Sequence, residues 1–367
     1  MYPVFWPVFA SAIASQALAS WLADCARNLE AGDQDDGTTQ GWTTSNKIAL
    51  ELETMRLRDF STGSLGTPVI ICAPFALHAA TIADFSSDHS IVERLQAMGA
   101  ARVHVTDWRS ATSDMRFLSI DSYLSDLNVA VDSFDGPVDL VGLCQGGWLA
   151  VLYSARFPRK VRRLVLAGAP IDIEAGRSKL SELTPGLSVS LLQGAIDASR
   201  GLVPGDRILQ FWRVPSDLVL RRILQLTDQP GRADLPRRFR SWLNQTVTLP
   251  GSYYLQTVQW LFKENRIARG EFVALGQKIS LRSIRIPLFL LAGDDDELVD
   301  PRQLLAIKHL VGTPPDQVTT LTETVDHLTL FVGRCVLERT WAQIGRWLAA
   351  SGDALVDVSQ QPAARAS

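Results

Sequence analysis

The stretch DLVGLCQGGWLAVLY, Asp139–Tyr153, reads as a short apolar strand, a tight glycine turn and the opening of an apolar helix. The turn has the form Gly-x-Cys-x-Gly-Gly with Cys144 at its apex. Strand, Gly-x-nucleophile-x-Gly, helix is the elbow on which many hydrolases lift a serine above a sheet edge. The glycines leave room for a strained bend, and the helix N-terminus behind it favours negative charge on the raised side chain. A hydroxyl in that place needs a base before it reacts, whereas a thiol near neutrality is already partly ionised. Cysteine is also a good leaving group, so an acyl thioester on Cys144 can pass its acyl group to water or to an alcohol. The competing reading is a small buried thiol in a tight turn. No Gly-x-Ser-x-Gly occurs anywhere in the chain.

Outward from the elbow the chain alternates strands and helices. PVIICAP (Pro68–Pro74), RVHVTDW, PVDLVGL, VRRLVLAGAP, IPLFLLAGD and QVTTLTET read as strands. Ile91–Met98, the segment SIDSYLSDLNVAVDSF capped by Ser119 or Asp121, Gly147–Arg156 and Val336–Leu348 read as helices. Such βα alternation predicts a mostly parallel sheet with helices on both faces. It fails over residues 177–270, which are helical in pattern and tryptophan-bearing. That block is expected to be a helical lid or cap over the strands' C-terminal ends, dividing a core of residues 47–176 and 271–350. Within it, Asp206–Trp242 holds eight arginines against four aspartates, either a solvated face or a basic lid meeting an anionic group.

In this architecture the partners follow in the order nucleophile, acid, histidine. The acids come at the strand end LFLLAGDDDELVDP, where Asp296 is the preferred member and Asp294 and Asp295 remain rivals. Of the five histidines, His327 in TETVDHLTLFVG lies past the last strand and is the best-placed base. His104 falls within a strand and reads as a core residue, His309 lies in a late helix, and His89 lies near a helix start. Two backbone N–H groups are needed for an oxyanion hole. One is expected from Gln145, the other near Phe75 or Ala76 in the loop APFALHAAT. His78 in the same loop is either structural or a contact to substrate. Trp148 packs under the elbow helix or touches substrate.

Composition excludes several functions. The chain has 367 residues, 46% hydrophobic, with a formal charge of −3, which gives no electrostatic footprint for nucleic acid. Four dispersed cysteines without a CxxC pair predict no metal site and reduced thiols in a cytoplasmic setting. No residue before Asp24 is charged, yet Pro3, Pro7 and several serines interrupt the apolar run. Residues 1–30 are therefore read as an apolar helix, packed on the domain or lying on an apolar surface, with a membrane span or export signal as the remaining reading. Residues 31–46 read as a polar linker, and residues 351–367 as a flexible tail.

At these residues the chain resembles the polyhydroxyalkanoate enzymes, both synthases and intracellular depolymerases. The resemblance runs from about Pro68 to Leu348. APFALHAATI, VHVTDWRSAT, LAGAPIDIEAG and YYLQTVQWLFKENRIARGEFVALGQKI are similar to segments of the poly(3-hydroxybutyrate) depolymerases. The resemblance implies the α/β-hydrolase fold and a Cys-Asp-His triad, carried across as Cys144, Asp296 and His327. Depolymerases usually follow Cys-Gln with proline, whereas CQGG here looks like a short two-subunit synthase. Both groups tend to have glycine before the histidine, where this chain has Asp326.

Segments spread along the chain outweigh a single turn. The preferred expectation is therefore a thiol hydrolase of intracellular poly(3-hydroxyalkanoate). The alternative is a synthase using 3-hydroxyacyl-CoA with the same triad. A granule-associated binding protein and an unrelated small-ester hydrolase stand behind these. No cofactor is implied. The expected partners are a polyester granule, met through residues 1–30, a hydroxyacyl oligomer, and a second copy or second subunit.

Overall fold

The protein is described by a computed structural model over residues 41–212 and 234–350. The expected N-terminal helix, most of the expected linker, the tail and the middle of the arginine-rich block lie outside the described residues. Eight strands form one sheet: β1 (Lys47–Glu51), β2 (Met55–Asp59), β3 (Val69–Cys72), β4 (Val103–Trp108), β5 (Val138–Leu143), β6 (Val161–Ala167), β7 (Leu288–Gly293) and β8 (Val318–Glu323). Their order across the sheet is β1-β2-β4-β3-β5-β6-β7-β8. From β4 to β8 every neighbouring pair is parallel; only β1 with β2 and β2 with β4 are antiparallel.

The central strands show why. Every residue of β3 (VIIC), β5 (VDLVGL) and β7 (LFLLAG) is buried, as a parallel strand covered on both faces requires. The covering helices include α1 (Ile91–Ala97), α2 (Ile120–Asp132) and α3 (Gln145–Arg156). Ser119 is the N-cap of α2, and its own N–H donates to Ser122 Oγ at 3.2 Å. Asp139 is a buried acid within β5, and it accepts from Arg162 Nε on the neighbouring β6 at 2.8 Å.

Between β6 and β7 the chain leaves the sheet. This stretch includes α4 (Val189–Ala198), α5 (Leu235–Asn244), a wide-turn segment Thr257–Lys263 and two short antiparallel ribbons. A last helix, α6 (Ala342–Ala349), packs against α1.

The structure differs from the sequence reading in three places. The β1–β2 hairpin was not foreseen; Met55 and Leu57 point into the core while Arg56 and Arg58 point away. The end of the expected linker is fastened down. Trp42 meets Phe60 edge-on at 5.3 Å, and the Thr43 and Thr44 N–H groups donate to Asp84 Oδ2 at 2.9 and 2.8 Å. The expected helix Val336–Leu348 is interrupted by a π-turn over Leu337–Trp341, where Trp341 is buried and donates from Nε1 to the Leu330 carbonyl at 2.8 Å.

Candidate active site

Cys144 sits between β5 and α3 with φ 47° and ψ −117°, a left-handed conformation in which a side-chain-bearing residue is strained. The surrounding glycines show what forces the bend. A Cβ on Gly142 would lie 2.4 Å from Gly147 Cα, and one on Gly146 would lie 2.1 Å from the Cys72 carbonyl oxygen. Strand, turn and helix therefore touch through backbone alone, and α3 starts directly against the end of β3.

His327 follows β8. Its Nδ1 meets Asp296 Oδ2 at 2.6 Å, and Cys144 stands close enough to the ring to act on its charge. Asp296 uses its other oxygen to accept the Leu298 and Val299 N–H groups, both at 2.9 Å. Of the three adjacent aspartates, Asp296 is the one on the histidine; Asp295 faces the cavity, and the Asp294 N–H pairs with Glu323. Burial opposes a charged His327, but the Asp296 carboxylate, and then Cys144, overcome it and hold the imidazole pKa well above its ordinary value of 6.5. Behind the ring, Gly168 adopts φ +54°, and a Cβ there would stand 3.2 Å from His327 Cε1. Asp326 caps the next turn instead, accepting from the Thr329 N–H at 3.0 Å and the Thr329 hydroxyl at 2.6 Å.

Cys144, Gln145 and His327 form the floor of a cavity of about 690 Å³. Much of its wall is apolar and comes from the stretch between β6 and β7: Leu180, Leu183, Trp242, Leu243, Val258 and Phe262. Lys179 and Glu297, paired with each other, also line it. Ala76 and His78 line it too; the Phe75 ring turns into the core against Tyr123 and Tyr253, at 4.7 and 5.3 Å.

His78 packs on Trp242 with ring centroids 4.4 Å apart, and its buried Nδ1 has no close hydrogen-bond partner. Burial drives its pKa down to about 4, so the ring is neutral at physiological pH. Of the two readings of Trp148, its position matches packing in the core and not a substrate contact. It is fully buried beneath α3, 6.3 Å from the Tyr253 ring, and does not line the cavity. Among the other histidines, His104 meets Asp59 at 3.3 Å and His89 Nδ1 meets the Val332 carbonyl at 2.7 Å, both away from the cavity. His309 lies in the turn Ile307–Leu310. The apolar walls carried by Leu180, Leu183 and Phe262 were missed by sequence reading; their signal was only a helical periodicity. Among the described residues no cluster of ligating side chains could hold a metal ion, and no helix is long and apolar enough to cross a membrane.

Comparison with known proteins matches the chain to one family model, to curated relatives and to solved structures. A family model described as PHB de-polymerase C-terminus matches residues 222–350. The poly(3-hydroxyalkanoate) polymerase subunit PhaC of Allochromatium vinosum is 27% identical over 295 residues, 77% of this chain and 81% of the relative. The protein of the same name from Synechocystis sp. is 27% identical over 336 residues, 88% of each chain. Among solved structures, an esterase from Exiguobacterium antarcticum superposes with a TM-score of 0.51 at 14% identity, covering 84% of this chain and 100% of its own. An epoxide hydrolase from Bacillus megaterium gives 0.51 at 15% identity, covering 79% and 97%. The fold is that of the α/β-hydrolases.

Proposed function

We propose that this relative of the poly(3-hydroxyalkanoate) polymerases and poly(3-hydroxybutyrate) depolymerases transfers 3-hydroxyacyl groups through a thioester on Cys144. The observation that carries the reading is His327, bonded to Asp296 and set beside Cys144 in the lining of one largely apolar cavity. Polymerisation from 3-hydroxyacyl-CoA is the favoured direction. The similarity to polymerase subunits over 77% and 88% of the chain supports it over the hydrolase preferred from sequence motifs.

In the first half-reaction His327 takes the Cys144 proton and sulfur attacks the thioester carbonyl of the donor. The N–H groups of Gln145 and of Phe75 or Ala76 hold the oxyanion. The bond to the CoA sulfur breaks, and His327 returns the proton to it as free CoA leaves. In the second half-reaction a hydroxyl on the chain end gives its proton to His327, and its oxygen attacks the Cys144 acyl carbon. An ester forms, the carbon–sulfur bond breaks, and Cys144 recovers the proton. A high proton affinity at His327 assists both deprotonations. Apolar walls favour a chain hydroxyl over water as acceptor. His78 faces the bound acyl chain as a neutral polar contact.

The second reading is hydrolysis, in which water replaces the chain hydroxyl. The depolymerase match over residues 222–350 favours it. Incubation with 3-hydroxybutyryl-CoA and, separately, with amorphous poly(3-hydroxybutyrate) tests both. Free CoA with polymer growth supports transfer, and released 3-hydroxybutyrate supports hydrolysis. Full activity in Cys144→Ala would end both. Cytoplasmic granules are the proposed setting, with residues 1–30 as the proposed attachment and a second copy or subunit as a further partner.

A further inference from the structure

We propose that Thr106 and Trp108, at the end of β4, are positioning residues for the loop that completes the oxyanion hole. The proposal rests on the acyl-transfer reading above. It starts where the sheet ladder stops. The pairing of β3 with β4 ends at Ile71 opposite Val105. Two residues on, Ala73 has left the strand, and its two backbone groups need partners in a region closed to water.

Both partners are side chains from the Thr-Asp-Trp segment. The Ala73 N–H donates to Thr106 Oγ1 at 3.0 Å, and Trp108 Nε1 donates to the Ala73 carbonyl at 2.7 Å. Thr106 is fully buried and Trp108 nearly so. Asp107 between them takes the other side of the strand and pairs with Arg58 at 2.9 Å. Thr106 and Trp108 thus continue by side chain a ladder that the backbone has abandoned.

The consequence reaches the site through two contacts. The Ala73 carbonyl lies against the first turn of α3, where a Cβ on Gly146 would stand 2.7 Å from its oxygen. The same peptide fixes the loop and the helix start that presents Gln145. Two residues later, the Phe75 ring sits among Trp108, Tyr123 and Tyr253 at 6.0, 4.7 and 5.3 Å. Trp108 holds the loop at both points, by a hydrogen bond at Ala73 and by its ring at Phe75. The spacing between the Gln145 N–H and the Phe75 or Ala76 N–H is set by this clamp. Misplacing a catalytic group by about 1 Å can cost on the order of a hundredfold in rate.

The test compares two reactions of one sulfur. Acylation by 3-hydroxybutyryl-CoA passes through an oxyanion, whereas alkylation by iodoacetamide displaces iodide and develops none. Modification is read at the Cys144 peptide by mass spectrometry, because Cys335 is exposed. Trp108→Phe and Thr106→Val are expected to lower the acylation rate by about 10- to 100-fold, with the Cys144 alkylation rate and KM near wild type. Thr106→Ser keeps the acceptor and should restore acylation. If Trp108→Phe does not fold, as judged by its Tm, the Thr106 pair carries the comparison. Parallel loss of alkylation and acylation in folded variants, or acylation equal to wild type, overturns the proposal. A wild-type protein that is alkylated but never acylated overturns the acyl-transfer reading itself, and the clamp's proposed role with it.

Discussion

The Asp296 carboxylate divides its two oxygens: Oδ2 holds His327 Nδ1 at 2.6 Å, and Oδ1 accepts the N–H groups of Leu298 and Val299. The acid is locked by the loop it begins, so the imidazole it holds has one orientation. Asp296→Asn keeps the shape but replaces a charge acceptor with an amide that can present N–H to the ring. The wrong tautomer then faces Cys144. The expected outcome is a fall in kcat of about 10³- to 10⁴-fold with little change in Tm, measured on 3-hydroxybutyryl-CoA. A loss below about tenfold would remove Asp296 from the mechanism.

The raised pKa of His327 has a signed effect on stability. The folded protein binds this proton more tightly than the unfolded chain, whose ordinary value is 6.5. The resulting stabilisation is fully present below 6.5 and is lost as pH rises through the higher folded value. The Tm advantage of the wild type over His327→Gln should therefore be largest in mild acid and shrink in alkali. An advantage that grows with pH would contradict the assigned charge state.

His78 runs the other way. Burial holds it near 4 against an ordinary 6.5, so the unfolded chain binds the proton more tightly. Stability on this account is complete above 6.5 and is lost as pH falls toward 4. The gap is worth about 3 kcal/mol at most. His78→Phe should flatten the fall in urea-unfolding free energy between those two pH values; an unchanged slope would place the titration elsewhere.

Much of this site was legible because its signals are local. Glycines at fixed offsets around Cys144, after a short, largely apolar strand, specify a strand, a bend and a helix without knowledge of any distant contact. The position of His327 followed from chain order. What was not legible depends on direction rather than on type. Three consecutive aspartates present the same chemistry, and only the turn after β7 decides that Asp296 meets the histidine. Trp148 lies four residues past the bend, and the bend's own angle decides whether its indole faces cavity or core. Whether Asp326 would meet the histidine was equally open; it lines the cavity beside His327, and its carboxylate accepts from Thr329. The β1–β2 hairpin carried a period-two signal in Met55 and Leu57, too short to stand out among its charges. Direction of reaction was legible least of all, since under the proposed mechanism water and a chain hydroxyl would use the same three side chains.

Gly168 links the end of β6 to the histidine and gives a prediction independent of the reacting groups. Its φ of +54° is costly for any residue with a Cβ, by about 1 kcal/mol. The added methyl of Gly168→Ala would also lie 3.2 Å from His327 Cε1, Leu330 Cδ1 and Phe331 Cζ. All three side chains are buried, but His327 borders the cavity, so the imidazole has open space to move into. That movement pulls Nδ1 off Asp296 and changes the approach to Cys144. Gly168→Ala should lower kcat by at least about tenfold while costing only about 1–2 kcal/mol of stability. KM should hold near wild type, because the cavity walls are untouched. Steady-state kinetics beside urea unfolding would read the two effects separately. A variant that loses stability but keeps its kcat would show that His327 tolerates the displacement.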